Sequence, residues 1–248
     1  MNKIVIFSLL LGSILSFTWP VAQETKTLSS PITVEADKTF DGFKENNNKW
    51  VRYERGIKNL GDCTQIEGGS KDPVFILKTR ATLKNVILGA KSIEHVHCVG
   101  DGCTVQNVYW EDVCEDALTL KGSSSSSAKF YVKGGAAKDG SDKIIQHNSA
   151  GTVFISDFYV ENSGKLYRAC GNCKSGYQGK RSVQLKNVQA NKVKLLTGIN
   201  SNYGDSAKYE NVEYKNGHAC QKFIGRNDGK EPVKDGDYVD KTGSWTCS

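Results

Sequence analysis

From about residue 32 onward, short apolar runs alternate with turns rich in Gly, Asn and Ser, and helical periodicity is scarce. One local pattern recurs: Leu83-Lys84-Asn85-Val86, Val105-Gln106-Asn107-Val108, Leu185-Lys186-Asn187-Val188 and Tyr209-Glu210-Asn211-Val212. Phe130-Tyr131-Val132 and Val153-Phe154-Ile155-Ser156-Asp157-Phe158 lie between these copies. Asn85 and Asn107 are 22 residues apart, and Asn187 and Asn211 are 24 apart. The gap of 50 from Asn107 to Asp157 holds two units, with Phe130-Tyr131-Val132 in the intermediate one. Strand units of this length mark a solenoid in which each coil buries alternate apolar side chains and stacks in parallel on the next. The expected fold is an all-β parallel β-helix, with turn asparagines hydrogen-bonded from coil to coil. A β-sandwich would favour paired hairpins over such a repeat.

The two ends read differently. Lys3 followed by the apolar block from Ile4 to Leu15, with small residues approaching Ala22, predicts an export signal over 1–22. That block is too short for an ordinary membrane span. Residues 23–248 then form one secreted domain, with an irregular C-terminal cap from about Gly217. The eight cysteines, all beyond the signal, predict up to four disulfides in an oxidising compartment. Cys170-Gly171-Asn172-Cys173 has no second Cys-x-x-Cys pair in the chain to complete a zinc site of that spacing. Cys220 and Cys247 are expected to tie the cap together. The formal charge of +6 favours a polyanionic partner. With an export signal and no nucleic-acid-binding motif, an acidic extracellular polysaccharide fits better than nucleic acid or membrane, and the chain reads as a monomer.

Candidate chemistry concentrates in Trp110 to Lys121, WEDVCEDALTLK, where Glu111, Asp112, Glu115 and Asp116 crowd into six residues. Such carboxylates are either solvated or occupied by a hard cation such as calcium. Downstream lie DKIIQHN (142–148) and GKLYR (164–168). Glu94, the 115–116 pair, Lys143 and the Lys165/Arg168 pair follow one another at about one coil each, which predicts a groove with acidic groups beside basic ones. Adjacent Glu115 and Asp116 would face opposite sides of a regular strand, so both reach one ion only if the chain turns there. Lys165 and Arg168 carry the same parity conflict.

EDALTLKG, DKIIQHN and ENSGKLYR, in that order and spacing, resemble the pectate lyases of polysaccharide lyase family 3. Thr39-Phe40-Asp41-Gly42, Gly61-Asp62, and Glu67 shortly before Pro73-Val74-Phe75 resemble the family's leader. The likeness runs from about Ile32 to Val212. It implies a right-handed parallel β-helix enzyme that uses calcium to cleave polygalacturonate (pectate) by β-elimination. By motif, it makes Glu94, Glu115 and Asp116 calcium ligands. Family members more usually carry aspartate at the first of these places; glutamate keeps the charge and reaches one methylene further. Lys121, Lys143, Lys165 and Arg168 match the family's basic groove residues, and Glu67 an acidic residue near the site. His95 and His97 are read as structural.

The implied reaction explains these residue types. The weakly acidic proton at C5 of galacturonate leaves first, and the glycosidic oxygen is then expelled from C4. Lys143 is expected to be the base, its pKa lowered by the cations Lys121, Lys165 and Arg168 around it. Arg168 is expected to stabilise developing charge, and the reverse assignment, Arg168 as base, stays open. Lys121 and Lys165 would hold substrate carboxylates, and Glu67 would orient a basic partner. A polygalacturonase on a similar helix would need a set of catalytic carboxylates and Asn-Thr-Asp, Asp-Asp and Gly-His-Gly motifs, which the chain lacks.

Overall fold

Three columns of parallel strands wrap one apolar interior to give a β-solenoid of about 8 turns. The computed structural model describes residues 17–58, 68–174, 176 and 178–248. Cys63, Glu67 and most of the export leader lie outside the described residues. One column carries the chemistry. It stacks Ile32–Val34, Phe75–Leu77, Val96–Val99, Asp116–Lys121 and Lys143–His147, then the second halves of Gly151–Ala169 and Arg181–Asn200, and finally His218–Ile224. The other two columns are the two arms of bent strands such as Ala81–Leu88, Cys103–Trp110 and Lys129–Lys138.

The bend explains the recurring asparagine. Asn85, Asn107, Asp157, Asn187 and Asn211 all sit at φ between 51° and 57°. In this left-handed region Asn and Asp are tolerated far better than branched residues. Their side chains form the expected ladder. Asn85 Nδ2 donates to Asp41 Oδ1 at 2.8 Å and Asn107 Nδ2 to Asn85 Oδ1 at 3.3 Å. Further along, Asn187 Nδ2 donates to Asp157 Oδ1 at 2.8 Å and Asn211 Nδ2 to Asn187 Oδ1 at 2.9 Å. Gly134 takes the corresponding place in the coil between, with φ 65°, so the backbone bend persists where the side-chain ladder is interrupted.

Inside, like residues stack in rows. Leu83, Val105, Val132, Ile155, Leu185 and Tyr209 align through successive registers and are all buried. Each such side chain contributes about 1.5–3 kcal/mol of burial. The regular stack continues through His218–Ile224, one strand beyond the Gly217 boundary read from the sequence; this strand lacks the asparagine bend but pairs in parallel with Leu195 to Asn200. Only then do short antiparallel strands, Val233–Lys234 and Trp245–Cys247, close the end, tied by Cys220–Cys247. Cys98–Cys103 and Cys170–Cys173 are also bridged. Phe17, from the segment read as leader, stacks on Tyr159 with ring centres 4.6 Å apart.

Asn187 offers a direct check of the ladder. Asn187→Ala should cost about 1–2 kcal/mol, because it combines left-handed strain with lost hydrogen bonds. Asn187→Gly should cost clearly less, since glycine accepts the bend. Urea unfolding of the three proteins measures both; equal losses for Ala and Gly would mean that the backbone conformation is not what this residue supplies.

Candidate active site

The acidic turn is anchored before it reaches the groove. Buried Trp110 donates Nε1–H to Ala117 O at 3.1 Å, spanning the turn from one end to the other. Glu111 takes a bidentate pair from Arg52 at 2.5 and 2.9 Å and so is structural. Ser141 Oγ donates to Cys114 O, and Glu115 N–H to Ile93 O at 3.2 Å. Glu115 therefore lies in the turn while Asp116 opens the strand Asp116–Lys121, which lifts the parity conflict between these neighbours.

The second conflict is lifted by one device that recurs in three successive coils of the groove. Between outward positions three apart, two successive residues turn inward: Ala117-Leu118, Ile144-Ile145 and Leu166-Tyr167, all buried. The register pairs Lys143 with Asp116 and Ile145 with Leu118 but skips Ile144, and it skips Leu166 likewise. Two outward rows result. One runs Asp116, Lys143, Lys165; the other runs His97, Thr119, Gln146, Arg168, Gly198.

Glu94, Glu115, Asp116, Lys121, Lys143, Lys165 and Arg168 all line one groove. Glu67 lies outside the described residues. The site also contains groups the sequence reading did not single out, of which Asp142 matters most. It holds Lys143 in a close ion pair and Lys165 at 2.5 Å, so one carboxylate serves two stacked ammonium groups. Burial works to raise Asp142, but the two lysines outweigh it and hold it below the usual range. Lys143 also faces Asp116 at 3.5 Å. Burial alone would lower Lys143, yet Asp116 and Asp142 hold it above its ordinary value. The expected depression by surrounding cations is thus absent here, because carboxylates are the nearer neighbours.

The acidic pair is less well satisfied. Burial works against the charge on Glu94, but the hydrogen bond and charge of His97, with Lys121 beyond, outweigh it and keep the carboxyl below its usual value. His97 Nε2 lies 2.9 Å from Glu94 and 3.3 Å from Lys121 Nζ, so this histidine links a predicted ligand to a predicted substrate contact. Thr119 Oγ1 bridges Glu94 and Asp116 at 3.2 and 3.4 Å. Asp116 Oδ1 is buried with no hydrogen-bond partner. Burial pushes the Asp116 carboxyl up to about 7; Lys143 opposes the rise, and Glu94 and Asp142 add to it.

These features fit a hard cation. A buried carboxylate oxygen with no hydrogen bond, 3.5 Å from Lys143 and crowded by a second carboxylate, favours added positive charge. The set is partial. Glu115 Oε2 accepts Gly68 N–H at 2.6 Å, and among the described residues no three acidic, His or Cys side chains already converge as a cage. The remaining oxygens for an ion would come from water and an acidic substrate.

Arg168 faces the groove from the next coils. Its guanidinium lies 4.1 Å from the centre of the Phe223 ring, and Nη1 donates to Asn200 Oδ1 at 3.0 Å. Burial brings it down to about 10.

The Asp116 environment makes a prediction for cation-free protein. A carboxyl whose pKa rises on folding costs stability once the unfolded chain ionises, so stability is full below about pH 4 and is lost as pH rises toward 7. In the presence of a chelator, Asp116→Asn should melt above the parent at pH 8 and close to it at pH 4. Calorimetry showing Asp116→Asn at or below the parent at pH 8 would contradict the buried-charge account.

Comparison with known proteins agrees with this geometry. The model of the pectate lyase family matches residues 16–230. Pectate lyase E of Emericella nidulans is 50% identical over 220 residues, covering 88% of this chain and 80% of that protein. Among solved structures, the catalytic domain of pectate lyase PelI from Erwinia chrysanthemi superposes with a TM-score of 0.68 at 30% identity, covering 85% of this chain and 92% of that one. PelI in complex with tetragalacturonic acid gives a TM-score of 0.65 at 29% identity, covering 84% of this chain and 66% of that one. With a solenoid of the same kind and motifs gathered in one groove, the chain belongs to the pectate lyase family.

Proposed function

We propose that this chain is a secreted, calcium-dependent lyase that cleaves (1→4)-α-D-galacturonan by β-elimination, releasing 4,5-unsaturated oligogalacturonides in the breakdown of plant cell-wall pectin. One observation carries the reading: Glu94 and Asp116 share a buried acidic end, where Asp116 Oδ1 has no hydrogen bond and only a 3.5 Å ion pair with Lys143, beside a basic end of Lys143, Lys165 and Arg168. A polyanion needs the second, and a divalent cation bridging it to the protein needs the first. The binding of tetragalacturonic acid by PelI supports an acidic oligosaccharide as the ligand. Secretion rests on the leader sequence; no described helix is long and apolar enough to cross a membrane.

Glu94, Glu115 and Asp116 would hold calcium. When bound, the ion supplies positive charge at the substrate's C6 carboxylate and takes up part of the Asp116 charge that otherwise retains the Lys143 proton. Lys143 Nζ, once neutral, accepts the C5 proton. The C5–H electron pair becomes the C4=C5 double bond, and the C4–O pair leaves with the glycosidic oxygen. Arg168 remains protonated and stabilises charge on the sugar acid or the leaving oxygen. Lys121 and Lys165 bind neighbouring carboxylates, and Glu67 orients a basic partner. Because Asp116 and Asp142 hold Lys143 above its ordinary value, the neutral amine grows as pH rises, which gives an alkaline optimum.

One observation favours the reverse assignment as a second reading. Burial brings Arg168 down to about 10, close to an ordinary lysine. Lys143→Ala and Arg168→Lys separate the two through pH profiles of kcat/KM: both should lose turnover by about a hundredfold or more with calcium binding intact, but the limb that rises with pH should shift or vanish only in the variant of the true base.

Ultraviolet absorbance of polygalacturonate at alkaline pH tests the reaction itself. A rise from unsaturated ends with calcium, abolished by excess chelator, is expected. New reducing ends without that absorbance would mean hydrolysis and end the lyase reading. Glu115→Gln and Asp116→Asn should each raise the calcium concentration needed for half-maximal rate; an unchanged requirement places the ion elsewhere.

A further inference from the structure

Arg168 is only 6% exposed, yet its surroundings are built to hold it in one pose. Opposite it in the next coil is Gly198, where a Cβ would fall 2.7 Å from Arg168 Cδ. Beside it is Gly171, where a Cβ would fall 2.4 Å from Nη2. Neither glycine has a positive φ, so the missing side chains serve space rather than backbone conformation. The guanidinium fills that space over the Phe223 ring, with Nη1 on Asn200 Oδ1.

Asn200 is itself locked. It is fully buried, and its Nδ2 donates to Cys170 O at 3.0 Å and to Asp205 Oδ2 at 3.1 Å. With both acceptors on the amide nitrogen, the amide oxygen has to face Arg168. Asp205, 1% exposed, also takes the backbone N–H of Asn200 at 2.9 Å and of Arg181 at 2.7 Å. The Arg181 side chain donates to Ser149 O at 2.8 Å and Asn148 O at 2.9 Å, in the turn that borders the groove. A continuous buried chain thus ties the Arg168 guanidinium to three coils.

Nη1 is held by Asn200, but Arg168 Nη2 is buried without a hydrogen-bond partner in the groove wall. An unsatisfied buried donor is costly, and a guanidinium fixed through Nη1 and the Phe223 ring holds Nη2 ready for an acceptor that arrives. We propose that Asn200, Asp205 and Phe223 are positioning residues that present Arg168 Nη2 to an anionic oxygen of the galacturonan at the cleavage point. This rests on the reading that Arg168 meets the substrate, whichever of Lys143 and Arg168 is the base. Asn200 and Asp205 act through Arg168.

The experiment compares Arg168→Ala, Asn200→Ala and Gly198→Ala on polygalacturonate with saturating calcium, and adds millimolar guanidinium to the Arg168→Ala protein and to the Arg168→Ala/Asn200→Ala double variant. Misplacing a reacting group by about 1 Å costs up to a hundredfold, so Asn200→Ala should lose about ten- to a hundredfold in kcat with KM changed little. Gly198→Ala keeps every hydrogen-bond partner but intrudes on Arg168, and should fall similarly even if Asn200→Ala does not fold. Guanidinium should partly restore Arg168→Ala by seating on Phe223 and Asn200, and should restore the double variant far less. Asn200→Ala and Gly198→Ala both within twofold of the parent while Arg168→Ala is dead would overturn the proposal, as would equal rescue in both backgrounds. Near-normal turnover of Arg168→Ala would remove Arg168 from the reaction, and the proposal with it.

Discussion

Neighbouring coils of a parallel helix lie about 4.8 Å apart, so any charge placed on an outward position meets the equivalent position of the next coil at that distance. Two like-charged contacts result in the groove, Glu94 with Asp116 and Lys143 with Lys165. The chain answers the basic contact itself, through Asp142, whose two oxygens each hold one ammonium group. It answers the acidic contact only in part. His97 satisfies Glu94 and Thr119 bridges the pair, while Asp116 keeps one oxygen without a hydrogen bond, 3.5 Å from Lys143, and a carboxyl pushed up to about 7. That asymmetry makes the acidic end receptive to a cation, while Lys143, Lys165 and Arg168 outnumber Asp142 at the basic end.

The same spacing explains why a scaffold of this kind supports opposite chemistries. The bends and the asparagine ladder lie on the columns away from the groove and fix the coil register. Function is then set by which side chains occupy two outward rows on one column. Here one row runs from an acid to two lysines and the other from neutral polar side chains to Arg168, which sets acidic groups at one end of the groove and basic groups at the other. A hydrolytic arrangement would instead need carboxylates spaced around a glycosidic oxygen.

Much of this was legible in the residues. Asn85, Asn107, Asn187 and Asn211 announced the coils because few side chains other than Asn accept the left-handed bend, so a local backbone demand left a local sequence mark. The ordered motifs marked six of the groove residues, Glu115, Asp116, Lys121, Lys143, Lys165 and Arg168, and Glu94 was added from the preceding coil. What stayed hidden depended on alignment between coils. Asp142 sits beside Lys143 in the same motif, but its bond to Lys165 exists only because of the register. Asn200, Asp205 and Phe223 arrive from strands and turns without a charge pattern, and their importance comes from what they enclose. The inward pairs Ile144-Ile145 and Leu166-Tyr167 look like ordinary apolar runs, yet they decide that residues three apart face the same side. The strand His218–Ile224 was missed for the converse reason, since it follows the stack without the asparagine bend.

The most direct test of the central claim is a crystal structure of the protein with calcium and a galacturonan oligosaccharide, using a slow variant such as Lys143→Ala. The account predicts an ion at Glu94, Glu115 and Asp116, a sugar carboxylate on that ion, and the C5–H of the same sugar facing the place vacated by the Lys143 amine. An oligosaccharide bound away from the column of Asp116 and Lys165, or a calcium ion that makes no contact with Asp116, would contradict it.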